Sequence, residues 1–100
     1  MPFVSAITVE LYFPDNGSLK GKRKELLSVR AALARKFGAS VAEVDHQDLW
    51  QRSTLALALV GRSASELDHA VDGIERFLES RFPEGASVRR RLVSFEDLDA

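Results

Sequence analysis

Apolar side chains recur at every second position over residues 3–13, with Ser5 as the one weak point. A period of two is typical of a β-strand. The same period returns over residues 52–60, where both sides of the segment are mostly apolar, and this pattern indicates a strand at the centre of a sheet. Shorter strands are predicted over residues 40–44 and 87–95.

Two other segments follow the helical period. The first helix is predicted to begin near Ser18, whose hydroxyl can cap free amides, and to end at Gly38, which supplies a left-handed stop. The second is predicted to begin with Ser63 and Glu66 in capping-box spacing and to end before Pro83. Residues 96–100 are expected to form an acidic, frayed tail. The inward apolar stripes are Leu19, Leu26, Val29, Leu33 and Phe37 in the first helix, and Leu67, Ala70, Val71, Ile74, Phe77 and Leu78 in the second.

The order strand, helix, strand, strand, helix, strand predicts a ferredoxin-like βαββαβ sandwich of the α+β class. In this arrangement both helices cover one face of a four-stranded antiparallel sheet, and the first and third strands are central. The other face would then be partly apolar and built of small side chains, and we expect a second copy of the chain or its own tail to cover it. Its predicted members are Val4, Ala6, Thr8, Ala56, Ala58 and Val60.

The chain has 100 residues, of which 45% are hydrophobic, and this is the size of one domain over residues 1–100. It contains no cysteine, which excludes disulfides, cysteine-based zinc sites, iron–sulfur clusters and a thiol nucleophile. No apolar stretch is long enough to span a bilayer, and the first residues lack the basic start of a secretory signal. We therefore expect a cytoplasmic protein with no membrane partner.

A polar connection of uncommon density separates the second and third strands: residues 41–52 read VAEVDHQDLWQR. Together with SLKGKR at residues 18–23 and RSTLALALV at residues 52–60, it resembles the signature of the YlxP-like family of small, uncharacterised bacterial proteins, and the likeness covers nearly the whole chain. The resemblance implies a link to translation or ribosome assembly, since such proteins are often encoded beside initiation and ribosome-binding factors. The signature surface comprises Asp45, His46, Gln47, Asp48, Trp50, Gln51 and Arg52.

This segment has three interpretations. Asp45, His46 and Asp48, with Glu43 upstream, are possible ligands of a divalent ion if they converge. Asp45 and His46 point to opposite sides of an extended strand, however, and His69 lies on the outer side of the second helix, so we predict no metal and no cofactor. No acid–base pair, nucleophile turn or nucleotide loop is recognisable either. The protein is therefore predicted not to be an enzyme, and no small-molecule substrate is identified.

The other two interpretations remain open. One is a turn in which Asp and Gln side chains bond backbone amides while Trp50 packs over the sheet edge. The other is a binding surface.

The near-neutral net charge of -1 conceals a polarised chain. Residues 18–37 carry seven cations against Glu25 alone, whereas residues 63–82 carry five acids against two cations. Cations at a helix N-terminus add to its affinity for phosphate, and Arg90 is predicted to point away from its neighbours on the last strand. The predicted phosphate- or RNA-binding residues are Lys20, Lys22, Arg23, Lys24, Arg30 and Arg90. The alternative is a solvated helix surface that pairs with the acids of the second helix.

These patterns predict a binding module that contacts structured RNA or the ribosome through the phosphate backbone. Base stacking is not predicted, because Tyr12 is the lone aromatic side chain expected on the open face of the first and third strands. The alternative function is a protein-interaction or homodimerisation module that uses the open sheet face, with the segment DHQDLWQR as its rim.

Overall fold

A computed structural model of the chain describes residues 1–98 and confirms the predicted order of elements, with one short helix added at the end. The elements are β1 Phe3–Tyr12, α1 Leu19–Phe37, β2 Ser40–Asp45, β3 Arg52–Gly61, α2 Ala64–Arg81, β4 Ala86–Ser94 and α3 Phe95–Leu98. The fold is the ferredoxin-like α+β sandwich.

The four strands form one antiparallel sheet in the order β2-β3-β1-β4, so β1 and β3 are central as predicted. Pairing between β1 and β3 runs without interruption from Phe3 opposite Gly61 to Tyr12 opposite Arg52. On the other side of β1, Ala6 pairs with Arg91 and Thr8 with Arg89 of β4. The pairing of β2 with β3 shifts by one residue between Glu43 and Asp45, so β2 bends away just before the polar connection begins.

Local signals set the helix ends. The Ser18 hydroxyl accepts a hydrogen bond from the amide of Gly21 at 3.0 Å, and Gly38 ends α1 with a φ of 69°. The Ser63 hydroxyl accepts from the amide of Glu66 at 3.2 Å at the start of α2.

Both helices pack on the same face of the sheet, where the core lies. The apolar stripes of both helices face this core, although Leu19 and Phe37 at the ends of α1 are only half-buried. The inner side of α1 also includes a charged residue, the fully buried Lys22. Its surroundings are described below.

The opposite face of the sheet carries no helix. Val60 is 67% exposed, and Ala6 and Ala58 are exposed beside it. The predicted frayed tail is wrong for residues 96–98, which form the short helix α3 with Phe95, whose amide donates to the Pro2 carbonyl at 3.0 Å. Residues 99–100 of the predicted tail lie outside the described residues. Among residues 1–98, no helix is long and apolar enough to cross a membrane.

Candidate functional site

Three connections meet at one end of the sheet, and they bring both signature segments together. The amide of Phe13, after β1, donates to the carbonyl of Gln51 at 2.8 Å, so the β1–α1 connection lies against the β2–β3 connection. The amide of Tyr12 donates to the carbonyl of Gly85 at 2.8 Å, which fixes the α2–β4 connection on the other side. The helix start that carries SLKGKR therefore adjoins the loop that carries DHQDLWQR.

Lys22 joins these two segments directly. Its side chain is 1% exposed, and its Nζ points into the loop between β2 and β3. There it donates to the carbonyl oxygens of His46 at 2.5 Å, Leu49 at 2.7 Å and Gln47 at 3.3 Å. One ammonium thus binds three backbone acceptors of a six-residue turn and replaces the water that they would otherwise require.

A carboxylate balances this buried charge. Glu43 Oε2 lies 3.1 Å from Lys22 Nζ, and the Glu43 side chain is 17% exposed. The same oxygen accepts a hydrogen bond from the buried Ser53 hydroxyl at 2.7 Å. Glu43 projects from β2 and Ser53 from β3. The ion pair between Lys22 and Glu43 therefore fixes α1 to the half of the sheet from which the loop emerges. The buried charge is therefore paired with a carboxylate and surrounded by oxygen acceptors, as a buried ion requires.

Two side-chain amides hold the remainder of the loop. Asn16 Nδ2 donates to the Trp50 carbonyl at 2.6 Å, and Gln51 Nε2 donates to the carbonyls of Pro14 and Asn16 at 3.1 and 3.3 Å. The absence of a side chain at Gly21 leaves room for Asn16, because a Cβ there would overlap the Asn16 side-chain oxygen. Many of the polar side chains in these two connections therefore form hydrogen bonds with backbone carbonyls of the same connections.

His46 has the left-handed backbone conformation, with a φ of 62°, which is uncommon for a residue other than glycine. Its amide donates to Asp45 Oδ1 at 2.8 Å, and its carbonyl accepts from the Leu49 amide at 3.1 Å and from Lys22. These contacts hold a tight turn, as one of the interpretations of the segment expects. His46 Nδ1 lies 3.9 Å from Asp45 Oδ1, and in the described part of the chain no three His, Asp or Glu side chains gather into a metal-binding group.

The same turn interpretation places Trp50 over the sheet edge, and this detail stays a prediction. Trp50 is 53% exposed, and its neighbour Leu49 is 44% exposed. Trp50, Leu49 and Arg52 line an open depression of about 380 Å³ together with Tyr12, which is itself 44% exposed. Tyr12 and Arg52 are direct cross-strand partners. Sequence reasoning missed this grouping, although the register between β1 and β3 was the signal that could have found it.

The predicted phosphate-binding set separates into two groups. Lys22 is buried and its donors are engaged, so it is not available to a phosphate. Arg90 is also engaged, because its two terminal nitrogens lie 2.9 Å from Asp72 Oδ1 and 3.3 Å from Glu75 Oε2 of α2. The prediction that Lys22 and Arg90 bind phosphate is therefore corrected. The structure leaves Lys20, Arg23, Lys24 and Arg30 on the exposed side of α1.

A second depression, of about 320 Å³, lies between the β1–α1 and α2–β4 connections. The rings of Phe13 and Phe82 meet edge-to-face there, with centroids 5.3 Å apart. The nearby Arg81 Nε and Glu25 Oε1 are 3.2 Å apart and bind each other. Glu25 and Arg81 therefore neutralise each other, while the carboxylates of Asp15 and Glu84 also line the depression.

Comparison with known proteins identifies a family for this chain. The family model described as "Protein of unknown function (DUF503)" matches residues 4–90. The chain belongs to this family. The uncharacterized protein YlxP of Bacillus subtilis (strain 168) is 36% identical over 70 residues, which cover 70% of this chain and 75% of that protein. The YlxP-like resemblance is therefore confirmed, and the description of the family assigns it no activity.

Solved structures support the fold alone. The de novo designed protein Foldit4 is 10% identical and has a TM-score of 0.61, with 94% of this chain and 98% of that chain covered. A protein from Arabidopsis thaliana is 12% identical and has a TM-score of 0.53, with 91% and 93% covered. At these identities no function is transferred.

Proposed function

We propose that this protein is a non-enzymatic binding module that contacts the phosphate backbone of structured RNA, free or in the ribosome, through the exposed cations of α1. The contact residues are Lys20, Arg23, Lys24 and Arg30. The observation that supports this most is the absence of acidic partners for them. In residues 1–98, none of the four forms an ion pair, although Arg30 donates to the Val41 carbonyl at 3.2 Å.

Three of the acids that a purely solvated helix surface could use are bound elsewhere. Asp72 and Glu75 of α2 pair with Arg90 of β4, at the edge of the sheet opposite the β2 edge against which α1 packs. Glu25, the one acid of α1, pairs with Arg81. The outer side of α1 therefore keeps its positive charge, which attracts phosphate independently of base sequence.

The length of the cationic strip fits a nucleic-acid backbone. Lys20 and Arg30 are ten positions apart, which corresponds to roughly 15 Å along a helix axis. Exposed Leu27 lies between the cations, and exposed Ala31 and Ala34 follow Arg30. A surface of this kind reads shape and charge, because phosphate contacts position a protein without specifying bases.

Salt-dependent binding to a blunt RNA duplex tests the proposal. Four phosphate contacts predict a log–log slope of affinity against salt of roughly −2.8 to −3.6. Arg23→Glu/Lys24→Glu should weaken binding to all sequences about equally and flatten the slope. Arg62→Glu/Arg76→Glu is the matched control, because it changes charge equally at two exposed positions away from the strip. Equal affinity of both double variants for the duplex would refute the proposed contact.

A second candidate, homodimerisation through the open sheet face, is favoured by the exposed side chains there. Val60, Ala6 and Ala58 together form a surface of small and apolar groups without a cover among residues 1–98. Arg89 and Arg91 lie on β4 at one edge of this face, and the strands place Asp45 at the opposite edge, on β2. A twofold axis parallel to the strands would bring the arginines of one copy over the β2 edge of the other.

Sedimentation distinguishes this candidate. Ala58→Glu should abolish a dimer, since it inserts two like charges into the centre of a symmetric contact. Ala34→Glu, an equal change on the exposed side of α1, should leave it intact. A wild-type protein that sediments as a monomer at all concentrations would eliminate the dimer.

A further inference from the structure

We infer that Tyr12, Trp50 and Arg52 form a stacking site for one unpaired nucleobase of a bound RNA, with Arg52 facing the adjoining phosphate. We call these three residues the aromatic shelf. The inference rests on the proposed function and deepens it, because it adds a contact to bases beside the contact of α1 to the backbone.

Exposure of the aromatic side chains is the first observation. Trp50, the single tryptophan of the sequence, is 53% exposed, and Tyr12 is 44% exposed. One exposed apolar side chain is ordinary. Here two aromatic rings and Leu49 line the same open depression, beside a guanidinium. Aromatic faces next to arginine are the groups on which proteins stack single-stranded bases.

Rigidity of the loop is the second observation. Three successive carbonyls beneath the shelf accept hydrogen bonds from within the protein: Leu49 from Lys22 at 2.7 Å, Trp50 from Asn16 at 2.6 Å and Gln51 from the Phe13 amide at 2.8 Å. The backbone is therefore fixed while the Leu49 and Trp50 side chains remain in solvent. A loop held in this way loses little further backbone freedom when its side chains bind a ligand.

The charges around the aromatic shelf favour one unpaired base over a longer single strand as the ligand. Arg52 lies directly across from Tyr12, and the cationic strip begins at the adjoining end of α1. Asp48, in the same loop, is exposed and disfavours a continuous tract of phosphates. The arrangement therefore fits one base turned out of a folded RNA whose stem lies along α1.

The fluorescence of Trp50 reports directly on this contact. The protein is titrated with a blunt RNA duplex and with a hairpin that has the same stem and an unpaired loop. The hairpin should quench the fluorescence and the duplex should not. Trp50→Ala should weaken hairpin binding by about 5-fold to about 140-fold, the range for loss of one stacked base, and leave duplex binding unchanged. Trp50→Phe should retain most of the affinity, and circular dichroism checks that both variants fold.

Each other result has a defined meaning. If both RNAs bind with the expected salt dependence but Trp50→Ala changes neither affinity, the shelf is not a base site and the proposed function stands. Equal weakening of duplex and hairpin also overturns the shelf, because stacking requires an unpaired base. If Trp50→Ala alters self-association and not RNA affinity, the shelf is a protein contact. If neither RNA binds the wild type, the proposed function fails together with the inference.

Discussion

Replacement of the buried Lys22 by methionine tests whether the loop is held as the structure indicates. Methionine retains most of the length of the side chain and removes all three donors. Three carbonyls and the Glu43 carboxylate then lose their shared partner. Breaking one side of a buried ion pair typically costs about 3 to 5 kcal/mol.

The expected cost lies at the low end of that range. His46, Gln47 and Leu49 are half-buried or exposed, so water can reach their carbonyls after the substitution. Glu43 is 17% exposed and keeps its hydrogen bond from Ser53, which limits the penalty of its unpaired charge. We expect a loss of about 3 kcal/mol in the free energy of unfolding, a large part of the roughly 5 to 15 kcal/mol of a typical domain.

Urea unfolding measures this loss. With an m-value of about 1.5 kcal/mol/M, a loss of about 3 kcal/mol lowers the midpoint by roughly 2 M. Lys20→Met, at an exposed position of the same helix turn, is the control and should change stability by no more than about 0.5 kcal/mol. Adding Glu43→Gln to Lys22→Met should recover part of the loss, since no uncompensated charge remains. If Lys22→Met and Lys20→Met unfold at the same midpoint, the buried network does not stabilise the protein.

Three further predictions concern packing and composition. Gly85→Ala should cost about 1 to 3 kcal/mol in urea unfolding, because the new Cβ would lie 2.8 Å from the Tyr12 carbonyl, whereas Gly17→Ala, with no atom within 4 Å, should be nearly neutral. Leu33→Ala should cost about 2 to 5 kcal/mol at a fully buried position, and Leu27→Ala on the exposed side of α1 no more than about 0.5 kcal/mol. Elemental analysis of the purified protein should find no stoichiometric transition metal; one equivalent of zinc, manganese or iron would contradict this prediction.

The elements of the fold were predictable because their signals are local. The caps at Ser18 and Gly38 depend on side chains within a few positions, and the two periods of hydrophobicity separate strands from helices without further information. Two-sided apolarity identified β1 and β3 as central. The short α3 was missed because four residues that begin with Phe95 contain no period to detect.

The site was harder to predict because its contacts are long-range. Helical spacing places Lys22 three residues after Leu19 and four before Leu26, on the apolar stripe, but charged side chains are usually exposed. Its acceptors are 24 to 27 positions away in sequence. The direction of Arg90 followed from alternation, whereas its partners Asp72 and Glu75 depended on how α2 packs on β4. A single sequence does not contain that information.

Because Lys22 points inward, it does not contact a partner directly, and the signature segments contribute to binding in another way. Lys22, Asn16 and Gln51 hold the loop, so they act on a ligand only through the position of Trp50. The cations on the outer side of α1 do not depend on that loop. Loss of Lys22 should therefore reduce binding to an RNA with an unpaired base and leave duplex binding nearly unchanged, which is the same selectivity expected of Trp50→Ala. A Lys22→Met variant that remains folded but loses affinity for both RNAs equally would show instead that the loop and the cationic strip act as one surface.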